Sequence, residues 1–180
     1  MGWYLTLAFS GVLDELDSFR LIQTMGSMME KALIGGQVIY PIIDSTWNVD
    51  PEKVELIERT LLEINAQENC EVYVSIHLGG YKVLSGNKDG VKALLEKLPK
   101  LENYPFQLVN HGAFHTPLLK DISEKAEHSL YQLNFQAPKV PIIDGEGHIW
   151  QPYATDLKKL YVYTLKTQVL ETYNFTRSIE

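Results

Sequence analysis

Residues 71–84 read Glu71-Val72-Tyr73-Val74-Ser75-Ile76-His77-Leu78-Gly79-Gly80-Tyr81-Lys82-Val83-Leu84. Glu71 to His77 alternates as a strand with one buried face does, and a glycine pair leading into a second β-rich run, Tyr81 to Leu84, marks a tight hairpin. Upstream, Val38 to Ile43 is β-branched and apolar, which predicts another strand. Between that run and the hairpin, Asp50-Pro51 is an N-cap followed by proline at the first helical position, and Val54, Ile57, Leu61 and Ile64 share one helix face. Downstream, Asn87 caps a helix with Val91, Leu94, Leu95 and Leu98 on one side, and Pro105 to Val109 closes the set as a strand.

The resulting order, βαββαβ, is the ferredoxin-like order. It predicts a four-stranded antiparallel sheet with two helices on one face over residues 37–110, inserted into a chain of different character. Before it, Trp3, Tyr4, Leu7 and Ala8 fall at helical spacing up to Ser10-Gly11. Asp14 then caps a second helix, with Asp17 in its first turn. Leu16, Phe19, Leu21, Ile22, Met25 and Met29 form that helix's apolar face, and Gly35-Gly36 stops it. After the insertion, Thr116-Pro117 opens a helix with Leu119, Ile122, Ala126, Leu130 and Leu133 buried. Val140 to Ile143 is a short strand ended by Asp144-Gly145, and Thr155 or Asp156 caps a last helix through Leu157, Leu160, Tyr161, Thr164, Leu165 and Gln168. The expected organisation is α/β, with residues 1–36 and 111–180 forming one large subdomain and 37–110 the inserted small one.

Composition narrows the function classes. The chain has 180 residues, 45% of them hydrophobic, and a formal net charge of -7. An acidic chain whose densest basic pair is Lys158-Lys159 lacks the cation cluster that a nucleic-acid partner requires. No apolar run approaches the ~20 residues of a membrane span, and the N-terminus has no basic n-region. The single cysteine, Cys70, allows no internal disulfide, so a reducing, cytoplasmic setting is expected.

His115 is the sharpest candidate for chemistry. It lies in Gly112-Ala113-Phe114-His115-Thr116-Pro117, at a strand-to-helix corner, where α/β sheets present catalytic groups. The positive end of a following helix would disfavour imidazolium and leave the ring able to accept a proton. A histidine that merely closes the corner is the plainer reading. His111 and His115 are four apart, but Gly112 and Thr116 set them across a strand end instead of on one helix, so no metal site is expected. Cys70 beside Glu71 is no nucleophile, because a neighbouring acid raises a thiol pKa. His77 reads as a strand residue, His128 and His148 as surface residues, and Phe9, Trp47 and Trp150 as packing.

Four separated segments resemble the acyltransferase family of malonyl-CoA:acyl-carrier-protein transacylases. They are Gly112 to Pro117 with its apolar followers; Phe135-Gln136-Ala137-Pro138-Lys139-Val140-Pro141-Ile142, similar to "F-x-A-P-x-V-P-V"; Leu165 to Glu180, with Gln168 and Ser178-Ile179-Glu180, similar to "L-x-x-Q-L…W-x-x-S-I-E"; and Met1-Gly2-Trp3-Tyr4 through Gly11-Val12-Leu13, similar to the stretch after the nucleophile, "G-H-S-[LM]-G-E-Y…A-G-V-L". The resemblance implies part of an α/β-hydrolase-like large subdomain with an inserted ferredoxin-like one. It implies acyl transfer from acyl-CoA to an acyl carrier protein through an acyl-serine, with no cofactor. Residue by residue, it implies His115 as the base, Gln168 as the residue whose main-chain carbonyl orients the ring, and Gly2 and Phe114 beside the substrate.

Two departures carry expectations of their own. Gly2 matches the last glycine of "G-x-S-x-G", so the serine would stand immediately before Met1; on this reading residues 1–180 are an incomplete or inactive form. The second concerns the arginine that pairs with the malonyl carboxylate, whose position falls on Met25, with Arg20 at a more peripheral place. A thioether cannot balance a carboxylate, so a neutral acyl group is expected. An acyl hydrolase on the same scaffold and a non-catalytic module that binds a carrier protein are the alternatives.

Overall fold

The computed structural model describes residues 2–31 and 33–179. Met1 and Glu180, the outer ends of two motif matches, lie outside these. The chain opens with α1 (Gly2–Phe9) and α2 (Glu15–Lys31), followed by β1 (Gly36–Pro41), α3 (Pro51–Asn65), β2 (Val72–Leu78), β3 (Tyr81–Gly86), α4 (Lys88–Lys97) and β4 (Phe106–Gln107). A 3-10 turn, Pro117–Leu119, leads into α5 (Lys120–Ser129). The remainder comprises β5 (Ile142–Ile143), β6 (Ile149–Trp150), α6 (Leu157–Val162), a π-turn at Tyr163–Thr167, α7 (Gln168–Leu170), β7 (Tyr173–Asn174) and α8 (Phe175–Ile179). Among the described residues no helix is long and apolar enough to cross a membrane.

The main sheet has the order β4-β1-β3-β2-β7, and the pairings among β1 to β4 are antiparallel. Its local causes are those the sequence announces. Asp50 accepts from the backbone N–H groups of Glu52 and Lys53, and Asn87 from that of Gly90, which satisfies donors a helix start leaves orphaned. Gly79 turns the hairpin at φ +57°, a left-handed value that costs glycine nothing. On one face of the sheet Val38, Tyr40, Val72 and Leu84 pack with Ile57 and Ile64 of α3 and Val91 and Leu94 of α4. A second apolar cluster gathers Leu7, Leu21 and Met25 with Leu119, Ile122, Leu160, Leu165 and Val169.

Several elements depart from expectation. The last strand shrinks from 105–109 to Phe106–Gln107, and the 140–143 strand to Ile142–Ile143, which pairs with β6 outside the main sheet. Residues 136–139 instead run extended along the α1–α2 connection, with the Gln136 and Lys139 N–H groups donating to the carbonyls of Val12 and Ser10. In α2 the buried side is Asp17, Ser18, Leu21 and Met25, while Leu16 and Phe19 are exposed. Asp17 is drawn inward because its carboxylate accepts from the Asn134 N–H at 2.9 Å. Thr116 caps nothing; its hydroxyl donates back to the Ala113 carbonyl at 2.7 Å.

The largest addition is β7, which joins the sheet parallel to β2 with Tyr173 beside Ile76 and Asn174 beside His77. It covers what would be an open sheet edge. The Thr172 hydroxyl donates to the Val74 carbonyl at 2.7 Å, and the Asn174 N–H to the Gly145 carbonyl at 2.8 Å. Gly145 leaves room for the Tyr173 ring: a Cβ there would lie 2.2 Å from its Cδ2. Gly145→Ala is therefore expected to cost about 1–3 kcal/mol by overpacking against the Tyr173 ring. Urea unfolding of the two proteins checks this; equal midpoints would show that the gap is not needed.

Candidate active site

The corner at His115 is made by its neighbours. The Ala113 N–H donates to the Ile34 carbonyl at 2.7 Å, and the Thr116 hydroxyl bonds back to Ala113, so the chain turns sharply between them. His115 itself takes φ +56°, a left-handed value unusual for a residue with a side chain. The turn aims the ring at the last helix. Its Nδ1 lies 2.6 Å from the Gln168 main-chain carbonyl. A carbonyl only accepts, so Nδ1 carries the hydrogen and Nε2 is left as the acceptor.

Gln168 can offer that carbonyl because of how its helix ends. The π-turn at Tyr163–Thr167 widens the coil, α7 lasts only to Leu170, and Glu171 is already extended. The carbonyls of a last turn lack intrahelical donors. The Thr167 carbonyl takes the Glu171 N–H, and that of Gln168 takes the imidazole. Tyr173 adds a ring 5.5 Å from that of His115.

A cavity of about 400 Å³ opens beside the histidine. Its lining includes Tyr4, Ile22, Met25, Met29, Phe114 and Val169, together with Gln37, His111, His115 and Gln168. No arginine, lysine or carboxylate, and no serine, cysteine or threonine, is among its described lining residues. Burial pushes the His115 pKa below its ordinary value, while the Gln168 carbonyl acts in the opposite sense. The expectation that a helix end holds this ring neutral needs correction, since the 3-10 turn stands between it and α5. Burial also raises the Tyr4 phenol, which stays protonated.

Of the residues singled out from sequence, His115, Gln168, Met25 and Phe114 meet at this cavity. Gly2 does not line it; it starts α1 and is exposed. Arg20 is far more exposed than the Asp17 it pairs with, at 3.0 Å. His77 sits in β2 beside Lys82 of β3, and burial lowers its pKa, with that lysine adding to the effect. No group of three His, Cys, Asp or Glu side chains among the described residues is placed to hold a metal ion. Sequence reading passed over Tyr4, Gln37, Ile76 and Tyr173. Spacing could have found Tyr4, one turn before Leu7, but Gln37 and Tyr173 reach the site only through sheet pairing.

No family model matches the chain. It is 26% identical over 183 residues to a non-reducing polyketide synthase of Aspergillus oryzae, covering 100% of this chain and 8% of that protein. It is 25% identical over 146 residues to the malonyl CoA-acyl carrier protein transacylase of Staphylococcus aureus, covering 81% of this chain and 46% of that one. The crystal structure of the acyl-carrier-protein S-malonyltransferase of Burkholderia pseudomallei superposes with a TM-score of 0.77 at 19% identity, over 99% of this chain and 55% of that chain. The chain has the malonyl-CoA:acyl-carrier-protein transacylase fold. It spans about half the length of the two transacylases and a small part of the synthase.

The His115 environment sets a pH dependence. With its pKa lowered on folding, the unfolded chain binds more protons between the folded value and the ordinary ~6.5. The stability tied to the neutral ring is therefore complete above ~6.5 and is lost as pH falls below it. His115→Asn, which tolerates the left-handed backbone, should flatten the fall. Urea midpoints compared at about pH 7.5 and about pH 5 should drop less in the variant than in the parent; equal drops would count against a depressed His115.

Proposed function

We propose that this chain forms the acyl-binding and base-bearing part of an acyltransferase that moves an acyl group from CoA to an acyl carrier protein. The observation that carries the reading is the His115 Nδ1 contact with the Gln168 carbonyl at 2.6 Å, at the rim of an apolar cavity. The carbonyl fixes the tautomer, so Nε2 accepts the proton of an attacking hydroxyl and returns it to the leaving thiolate. By the resemblance, that hydroxyl belongs to a serine placed ahead of Met1, near the start of α1, and the carrier protein's thiol then takes the acyl group. Residues 37–110 act as the inserted small subdomain, with β1 and β2 supplying Gln37 and Ile76 to the cavity wall.

The acyl group is neutral. Met25 is 1% exposed and lines the cavity at the position where malonyl-specific relatives of the resemblance keep an arginine. A malonyl carboxylate placed there would be desolvated without a partner. A charge-assisted contact of the kind a guanidinium provides contributes roughly 1.5–3 kcal/mol, or about 10- to 100-fold in rate.

Intact-protein mass spectrometry after mixing with acetyl-, butyryl- and malonyl-CoA tests this. A longer product carrying Gly-x-Ser ahead of Met1 should gain the neutral acyl groups at least about tenfold faster than malonyl. Residues 1–180 alone should gain none, because no serine, cysteine or threonine is among the described lining residues of the cavity. Met25→Arg in the longer product should reverse the preference. Loss of loading in His115→Asn is expected as well. Malonyl loading as fast as acetyl in the parent would refute the reading of Met25, and full loading by His115→Asn would refute the base.

A further inference from the structure

The strand β2 carries an irregularity that the proposed chemistry leaves unused. Val74 pairs with Leu84 and Ile76 with Val83, so Ser75 is an extra residue opposite nothing on β3. A bulge of this kind breaks the alternation of faces. Val72 and Val74 point to the helices, whereas Ser75 and Ile76, consecutive in the chain, both turn to the cavity side: Ile76 lines the cavity and Ser75 bonds to Gln37.

Ser75 is fully buried, and so is nearly all of Gln37. The Gln37 side-chain amide donates to the Ser75 hydroxyl at 2.7 Å, and that hydroxyl donates to the Phe114 carbonyl at 2.7 Å. The other end of the Gln37 amide accepts from His111 Nδ1 at 3.0 Å. The series His111–Gln37–Ser75–Phe114 thus runs through β1 and β2 and ends on the peptide joining Phe114 to His115. That peptide precedes the residue at φ +56°. A backbone held in a sparsely populated region persists only where its surroundings over-determine it.

We propose that Ser75, the bulged residue of β2, is a positioning residue for His115: its hydroxyl, oriented by Gln37, fixes the Phe114 carbonyl and so locks the turn that aims the imidazole at Gln168 and the cavity. The proposal rests on the reading of His115 as the base. It ties the base to the inserted sheet, so a displacement of β1 and β2 would be felt at the ring. Among the described residues the titratable groups around the ring include Tyr4 and His111 at the cavity and Tyr173, whose ring is tilted 38° to it. Ser75 changes none of these, so it acts through geometry.

The test is the tautomer of His115, read from long-range proton–nitrogen NMR spectra of the histidine-labelled chain above its titration midpoint. The parent should show a single Nδ1–H tautomer. Ser75→Ala removes the bond to Phe114; the ring should then leave Gln168, populate the Nε2–H form and shift its titration midpoint, because the carbonyl that acts on its pKa is no longer bonded to it. Ser75→Thr, which keeps the hydroxyl, should restore the parent spectrum. Ser85 provides the control: it is as fully buried, pairs directly with Gln37 across β1 and β3, and its hydroxyl has no hydrogen-bond partner among the described residues. Ser85→Ala should leave the tautomer unchanged. A folded Ser75→Ala with the parent tautomer and midpoint overturns the proposal, as does an equal change in Ser85→Ala. If Ser75→Ala does not fold, Gln37→Met decides: mixed tautomers support the relay and the parent spectrum overturns it. The readout needs no turnover, so failed acyl loading with an intact Ser75 effect would sink the functional reading and leave the positioning role standing.

Discussion

A histidine at φ +56° is held, not relaxed. Such a backbone costs of order 1–3 kcal/mol for a residue with a Cβ, and one hydrogen bond contributes about 1 kcal/mol net. One such contact offsets at most the low end of that cost. The structure brings five to the same turn: Ala113 to the Ile34 carbonyl, Phe114 to the Gly112 carbonyl, Thr116 back to Ala113, Ser75 to the Phe114 carbonyl, and the imidazole to Gln168. They come from the α2–β1 connection, the turn itself, the bulge of β2 and the end of α7. Much of the architecture meets at this one residue, including the irregular stretch of β2 and the widened helix just before Gln168.

The fold was legible where one period and one cap agreed. Asp50-Pro51 with Ile57 and Ile64, and Asn87 with Val91 and Leu94, fixed both helices of the sheet, and the Gly79-Gly80 hairpin fixed its centre. The sequence misled where a polar residue competed with the apolar stripe. Leu16 and Phe19 have helical spacing with Met25, but buried Asp17 answers an orphaned N–H at Asn134 and rotates the helix. β7 was not legible at all. Two residues give no period, and their strand character comes from pairing with Ile76 and His77, about a hundred positions away.

The site divides the same way. Gly112 to Pro117 marked His115 from local pattern, and the resemblance pointed to Gln168 and Met25. What the sequence hides is the support. A serine in an alternating strand reads as a polar position on one face, and nothing in Tyr73-Val74-Ser75-Ile76 says that an extra residue will put Ser75 and Ile76 on the same side. Tyr173 reaches the imidazole only because β7 lies along β2, and Gly145 makes room for it. Such partners belong to tertiary pairing, which leaves no periodic trace.

The orienting group and the cavity form one electrostatic solution. A carboxylate on Nδ1 would favour imidazolium strongly, but it would bring a buried charge to a cavity whose described lining has no cation. A backbone carbonyl fixes the same tautomer with a dipole and no net charge. Burial still lowers the ring's pKa and the carbonyl offsets part of that, so the neutral imidazole is favoured in apolar surroundings. The same absence of charge leaves a bound carboxylate nothing to pair with. The proposed roles of Met25 and His115 are thus mutually consistent: a wall that a neutral acyl chain could wet by dispersion alone, beside a carbonyl-held imidazole that needs no counter-ion.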